Sequence, residues 1–216
     1  MNTTQQLIQG FQRFREKHFA EDAARFQQLV QFGQTPKALV VACCDSRVDP
    51  VLVLDCAPGD LFVIRNVANL VPPAENQGSF HGTSAALEFG VRNLGVQHII
   101  VLGHAQCGGI HALLEGSVDN KDSFIAEWMR IAEAARARVE RDHANADSKV
   151  RHRACEQQAV LVSLDNLRTF SWIRERVEQG KLALHGWYFD IEQGELLGYD
   201  PASRRFEMLS VRDTQG

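Results

Sequence analysis

Three short runs, ALVVA (38–42), LFVIR (61–65) and HIIVLG (98–103), constrain the fold more than any other feature of this chain. Each is too short for a helix and rich in β-branched residues, so each reads as a buried strand. Between the second and third lie Pro72 and Pro73 and then GTSAALEFGVRNLGV (82–96), a helix built of small residues. Strands alternating with helices imply an α/β fold: a mostly parallel central sheet with right-handed crossovers, flanked by helices.

The segments around this unit read differently. Leu7, Phe11, Phe14 and His18, then Phe26, Leu29 and Val30 after AEDAA, recur at helical spacing. Residues 1–33 are therefore expected to form a helical arm ahead of an α/β domain over 34–216. The arm either covers its own domain or lies on a partner subunit. Beyond the third strand, helical patterning runs over 122–145 and 150–179, the second ending at Gly180 as a C′ residue. LALHGWYFDI (182–191) and ELLGYD (195–200), joined across Gln193 and Gly194, read as a terminal hairpin.

Composition narrows the function. With 216 residues, 44% of them apolar, the chain can bury the core of one domain without staples. A net charge of −4 supplies no basic field for nucleic acid or an anionic membrane, which favours a small-molecule substrate. The N-terminus lacks the basic and apolar regions of a secretion signal, and no run reaches the length of a membrane span. Five cysteines without framework spacing fit a reducing cytoplasm, with free thiols or a metal site; Cys56 and Cys155 read as packing residues.

Open α/β sheets bind ligands beyond the carboxyl ends of their strands. Cys43, Cys44, Asp45 and Arg47 follow the first strand there, and His104 and Cys107 follow the third. Two thiolates and an imidazole suit Zn²⁺, with a fourth position left for water, as in catalytic zinc sites. Alternation at a strand end turns one of Cys43 and Cys44 to the site and the other into packing, without saying which. His111, four residues past Cys107, is either a competing ligand or a helix-surface histidine. Asp45 and Arg47, two apart, can form a fork on one side of an extended chain. Such a pair is either an exposed ion pair or a device beside the metal, where the carboxylate accepts a hydrogen bond from zinc-hydroxide and Arg47 keeps it off the zinc.

Cys-x-Asp-x-Arg after one strand, with His-x-x-Cys some sixty residues later, resembles the β-class carbonic anhydrases. RNVANLVPP (65–73), HIIVLGHAQCGG (98–109) and HGWYFDI (185–191) match the same family, so the resemblance runs over residues 30–200. It implies zinc held by Cys43, His104 and Cys107, with Asp45 and Arg47 as the catalytic dyad and Asp45 able to bind zinc in a closed state. It further implies reversible hydration of CO₂ to bicarbonate and a proton, in a homodimer or a multiple of one.

Within that family the chain is similar to the plant-like active-site pattern. Gln34, nine residues before the first cysteine, matches a substrate-positioning glutamine, and Phe62 and Val67 match apolar pocket positions. Phe89 stands where the pattern has a tyrosine, which keeps the wall and loses a hydroxyl. Gly108 and Gly109 allow close backbone approach to the metal. The tryptophan and tyrosine that build an inhibitory bicarbonate site in other members are Val40 and Phe189 here, leaving Arg65 alone. The resemblance therefore implies an open site with Asp45 paired to Arg47. Hydrolysis of carbonyl sulfide or carbon disulfide on the same zinc is the alternative enzyme. A non-catalytic zinc-stabilised binding protein would have a closed site or lack the dyad, and neither is seen. A phosphatase use of Cys107 lacks its arginine, and a Cys43–Cys44 redox switch has no supporting environment.

Overall fold

The computed structural model describes residues 2–20, 23–75, 81–117 and 123–210; the side chain of His18 lies outside the described ones. The chain opens with α1 (Thr3–Phe14), a π-helical turn (Arg15–Phe19) and α2 (Ala23–Phe32). Asn2 starts α1 with a capping box: its side chain accepts from the Gln5 N–H, and the Gln5 side chain accepts from the Asn2 N–H. Neither α1 nor α2 contains a buried residue, and Leu7, Ile8 and Phe11 stand exposed.

β1 (Ala38–Cys43), β2 (Leu61–Asn66) and β3 (His98–His104) follow as the apolar runs predict, with a short α3 (Pro50–Val53), absent from the sequence reading, between the first two and α4 (Gly82–Glu88) between the last two. A π-helical turn extends α4 to Asn93. Next come α5 (Gly108–Leu114), α6 (Phe124–Met129), α7 (Glu133–Asp142), α8 (Ser148–Leu167) and α9 (Ser171–Glu178). The chain closes with β4 (Ala183–Asp190), β5 (Glu195–Asp200) and β6 (Arg205–Met208). Among the described residues the sheet has six strands, in the order β2-β1-β3-β4-β5-β6. β2, β1, β3 and β4 run parallel, and β5 and β6 add antiparallel pairs at one edge.

Leu39, Val41, Ile99 and Val101 on one sheet face pack against Leu87, Val91, Val160 and Ile173. Each such fully buried side chain contributes about 1.5–3 kcal/mol. α8 lies so close over β3 and β4 that glycine is required beneath it. A Cβ on Gly103 would stand 2.6 Å from Val160 Cγ2, and one on Gly186 would stand 3.0 Å from Val160 Cγ1. The opposite face holds Val40, Ala42, Ile100 and Leu102, joined by Trp187 and Phe189.

Both long helical stretches are divided, and each division sits beside a bond to a residue distant in sequence. The first tightens into a 3₁₀ turn at Arg130–Ala132, just after Trp128, whose Nε1 donates to the Val67 carbonyl at 2.8 Å. The second breaks after Leu167. There the Thr169 hydroxyl donates to the Asn166 carbonyl at 2.6 Å and accepts from the Ala74 N–H at 2.8 Å, and Phe170 turns into the core. The terminal hairpin falls within a residue of the expected bounds, its first strand one residue shorter at each end, with β6 as a further strand beyond it.

Candidate active site

β1 and β3 are neighbouring parallel strands, so their carboxyl ends bring the two chemistry-bearing stretches together. Cys43 ends β1 buried and belongs to the site, while Cys44 is exposed on a neighbouring cleft and not turned into packing as the alternation predicts. His104 ends β3. The chain then turns through Gln106 in the left-handed region (φ 59°), and this turn brings Cys107 back beside His104. One donor atom from each of Cys43, His104 and Cys107 lies within 4.8 Å of the others, and all three residues are buried.

The cluster fits a thiolate-binding metal on its own chemistry. His104 Nδ1 is 2.9 Å from the Ala105 carbonyl, which fixes Nδ1 as the donor and leaves the Nε2 lone pair for the site. That Nε2 is buried with no hydrogen-bond partner among the described residues. A hydrogen bond from Cys107, working against burial, holds the Cys43 thiol down to about 4; the same contact and burial push Cys107 up. The pair therefore gives up its first proton easily, as a metal-binding thiol pair must.

Asp45 and Arg47 form the expected fork. Arg47 Nε donates to Asp45 Oδ1 at 3.0 Å and Nη2 to Oδ2 at 2.7 Å; the Arg47 N–H also donates to Oδ1, at 2.9 Å. Arg47 Nη2 reaches on to the Gln106 carbonyl at 3.1 Å, which ties the dyad to the turn between His104 and Cys107. The guanidinium holds the Asp45 carboxyl well below the usual carboxylate range. Asp45 is outside the metal-capable group.

Arg65 has structural work. It donates to the carbonyls of Cys43 (2.9 Å) and Asp45 (2.7 Å) and pairs with Asp49 at 2.6 Å, so it braces the strand-end loop. Val40 is buried in the core, and Phe189 packs against the same hydrophobic cluster.

Of the pocket residues, Val67 and Gly108 lie near the cluster. Val67 lines an apolar cleft with Cys44, Phe124, Ile125, Trp128 and Ile131. Gly108 follows Cys107 directly and faces open space, whereas the close approach falls on Gly109, where a Cβ would stand 3.0 Å from Val67 Cγ1. Gln34, Phe62 and Phe89 are not brought there within one chain. Phe62 pairs in register with Leu39 and Cys43 with Asn66, four residues further along, or about 13 Å at strand rise. Phe89 packs against Phe62, with ring centroids 6.0 Å apart and planes tilted by 32°, and Gln34 precedes β1 altogether.

The sequence reading missed Glu156. This buried carboxylate accepts from the Cys107 N–H at 3.0 Å through Oε1 and from the Tyr188 hydroxyl at 2.6 Å through Oε2, so it braces a cluster residue from behind. Its signal was present, because Glu156 falls at helical spacing with the apolar Ala159 and Val160 of α8.

The carbonic anhydrase family model matches residues 38–196, which span both strand-end clusters and the first strand of the hairpin. The chain belongs to the β-class carbonic anhydrases. A carbonic anhydrase of Pseudomonas aeruginosa is 41% identical over 204 residues, 94% of this chain and 91% of the relative. One of Synechocystis sp. is 39% identical over 199 residues, 91% of this chain and 71% of the relative. Among solved structures, the β-carbonic anhydrase CcaA superposes with a TM-score of 0.90 at 37% identity, covering 97% of this chain and 93% of that one. A β-carbonic anhydrase of Sordaria macrospora, described as tetrameric, gives 0.79 at 28% identity, covering 92% and 97%. The anhydrase has no helix among its described residues long and apolar enough to cross a membrane.

Proposed function

We propose that this carbonic anhydrase hydrates CO₂ reversibly on a zinc ion held by Cys43, His104 and Cys107, with Asp45 and Arg47 as its working dyad. The observation that carries the reading is the buried, unpartnered His104 Nε2 between two thiols, beside a carboxylate locked in an arginine fork. A zinc ion held by these three residues would supply Lewis acidity, which lowers the pKa of water to about 7 and makes hydroxide available near neutral pH.

The chain's own groups do the rest. Asp45, kept ionised by Arg47, can only accept a hydrogen bond, and so fixes which way the attacking oxygen presents its lone pair. Arg47 holds the carboxylate back from the cluster. The apolar wall at Val67 suits CO₂, which has no net dipole.

Gln34, Phe62 and Phe89 act at a site only if a second copy delivers them. The exposed apolar face of α1, with Leu7 69% and Phe11 59% exposed, supplies a surface for such a copy, and residues 1–33 are read as its docking arm. A homodimer or a multiple of it follows. Five unpaired cysteines suit a reducing compartment such as the cytoplasm.

Metal analysis with stopped-flow CO₂ hydration across pH tests the reading. One zinc per chain is expected, with Cys43→Ala, His104→Ala and Cys107→Ala each losing zinc and activity together. Zinc retained in Cys43→Ala but lost in Cys44→Ala overturns the ligand set, and full activity in zinc-free protein overturns the mechanism. Carbonyl sulfide turned over faster than CO₂ would reassign the substrate.

A further inference from the structure

His111, the competing ligand for the Cys/His set in the sequence, belongs to a different cluster. It sits on α5 with Glu115 one turn on, and its Nε2 is 3.4 Å from Glu115 Oε1. His152 comes from α8, which packs against α5. The two imidazoles face each other with ring centroids 4.3 Å apart and planes 7° from parallel. One donor atom from each of His111, Glu115 and His152 lies within 4.8 Å of the other two.

A further contact prepares the group. Ser148 Oγ is 3.1 Å from His152 Nδ1, and with Nδ1–H donating to that hydroxyl the Nε2 lone pair is left for a ligand, the usual support of a metal-binding histidine. The same cleft is lined by Arg47, Gln106 and Gly108.

We propose that His111, Glu115 and His152 form a second metal site, for a divalent transition ion of the zinc class, at the rim of the cleft that contains Arg47. Two imidazoles and one carboxylate select zinc, cobalt, nickel or copper over magnesium or calcium, which prefer all-oxygen sets. Chelation turns one ring out of the stack. The His111 side chain, 54% exposed, has room to turn while Ser148 holds His152. Water completes the coordination, so this site binds more weakly than the buried thiolate cluster.

Cobalt titrated into the zinc-loaded full chain tests it. The expected result is one cobalt per chain with the visible bands of nitrogen and oxygen ligation and no thiolate-to-cobalt charge-transfer band, the buried zinc staying in place. His111→Ala and His152→Ala should each weaken that binding at least about tenfold, since even losing a supporting contact costs a metal site 10–100-fold. Both variants should keep their buried zinc and their circular dichroism. Cobalt bound equally well by wild type and both variants overturns the proposal, as does a wild type that takes up cobalt only by exchange at the thiolates.

Discussion

Arg47 grips both oxygens of Asp45, with Nε to Oδ1 at 3.0 Å and Nη2 to Oδ2 at 2.7 Å, two residues along the same chain. A fork of this kind fixes the carboxylate plane, which a single ammonium cannot do. Because Arg47 also donates to the Gln106 carbonyl, the carboxylate is held in position relative to the turn carrying His104 and Cys107.

Replacement of either partner should therefore separate turnover from metal retention. Asp45→Ala and Arg47→Ala are expected to keep zinc and lose about 10²–10⁴-fold in CO₂ hydration, the range for a positioned acid–base group. Arg47→Lys should also lose activity, because it restores the charge without the fork. Unchanged turnover in Asp45→Ala would remove Asp45 from the mechanism.

Glu156 gives a prediction about stability. Glu156→Ala leaves the Cys107 N–H and the Tyr188 hydroxyl without their partner in a buried site, at about 1–3 kcal/mol for each orphaned group. Glu156→Gln can serve both, since its oxygen accepts from Cys107 and its amide donates to the tyrosine oxygen. A large fall in thermal midpoint for Ala and a small one for Gln is expected from scans of the zinc-loaded protein; equal losses would mean that the charge, not the bonding, matters.

Much of this was legible in the sequence because it depends on short-range pattern. Strand runs bounded within a residue, and motifs placed at strand ends, follow from β-branched composition and from the rule that sites gather at carboxyl edges. What escaped depends on contacts distant in sequence. The break after Leu167 is set by Thr169 bonding to Ala74, which no local periodicity carries. β6, with RFEM, is too short and too exposed to alternate convincingly. The distance of Phe62 from Cys43 was implicit in the strand itself, since four residues of β rise separate their register positions.

Acid should weaken the hairpin through Asp190. Burial works to raise this carboxyl, but the N–H groups of Glu192 and Gln193 and the guanidinium of Arg153, 2.7 Å away, outweigh it, so its pKa lies below the ordinary value. A lowered folded-state pKa contributes stability that is full above the unfolded value, near 3.9, and is lost as pH falls through the folded one. Asp190→Asn keeps the backbone acceptor and removes the charge. Denaturation midpoints should show wild type ahead at neutral pH, with the gap narrowing below about pH 4; a gap constant with pH contradicts the linkage.

The arm predicts an assembly. If residues 1–33 dock on a second copy, Leu7→Glu with Phe11→Glu should shift the protein toward monomer in sedimentation velocity while each chain keeps its zinc. Activity should fall with dissociation, because Gln34, Phe62 and Phe89 would no longer reach a neighbouring site. A wild-type monomer at micromolar concentration removes the premise.

Bicarbonate should not close this enzyme. Closure would require Asp45 to leave Arg47 for the metal, and a ligand can drive that exchange only by binding the closed state better than the open one. The groups that could favour a bound anion there are missing or engaged. Val40 and Phe189 offer no polar hydrogen and pack in the core, and Arg65 already donates to Cys43, Asp45 and Asp49. Moving Arg65 to an anion would strip two carbonyls of their donor at the loop that carries the dyad. Activity is therefore expected to decline smoothly with added bicarbonate near neutral pH, as product inhibition does, with no cooperative step. A steep loss below about pH 8 that steepens with bicarbonate would show that other residues build the switch, since a near-complete shift needs about 5.5 kcal/mol of differential binding.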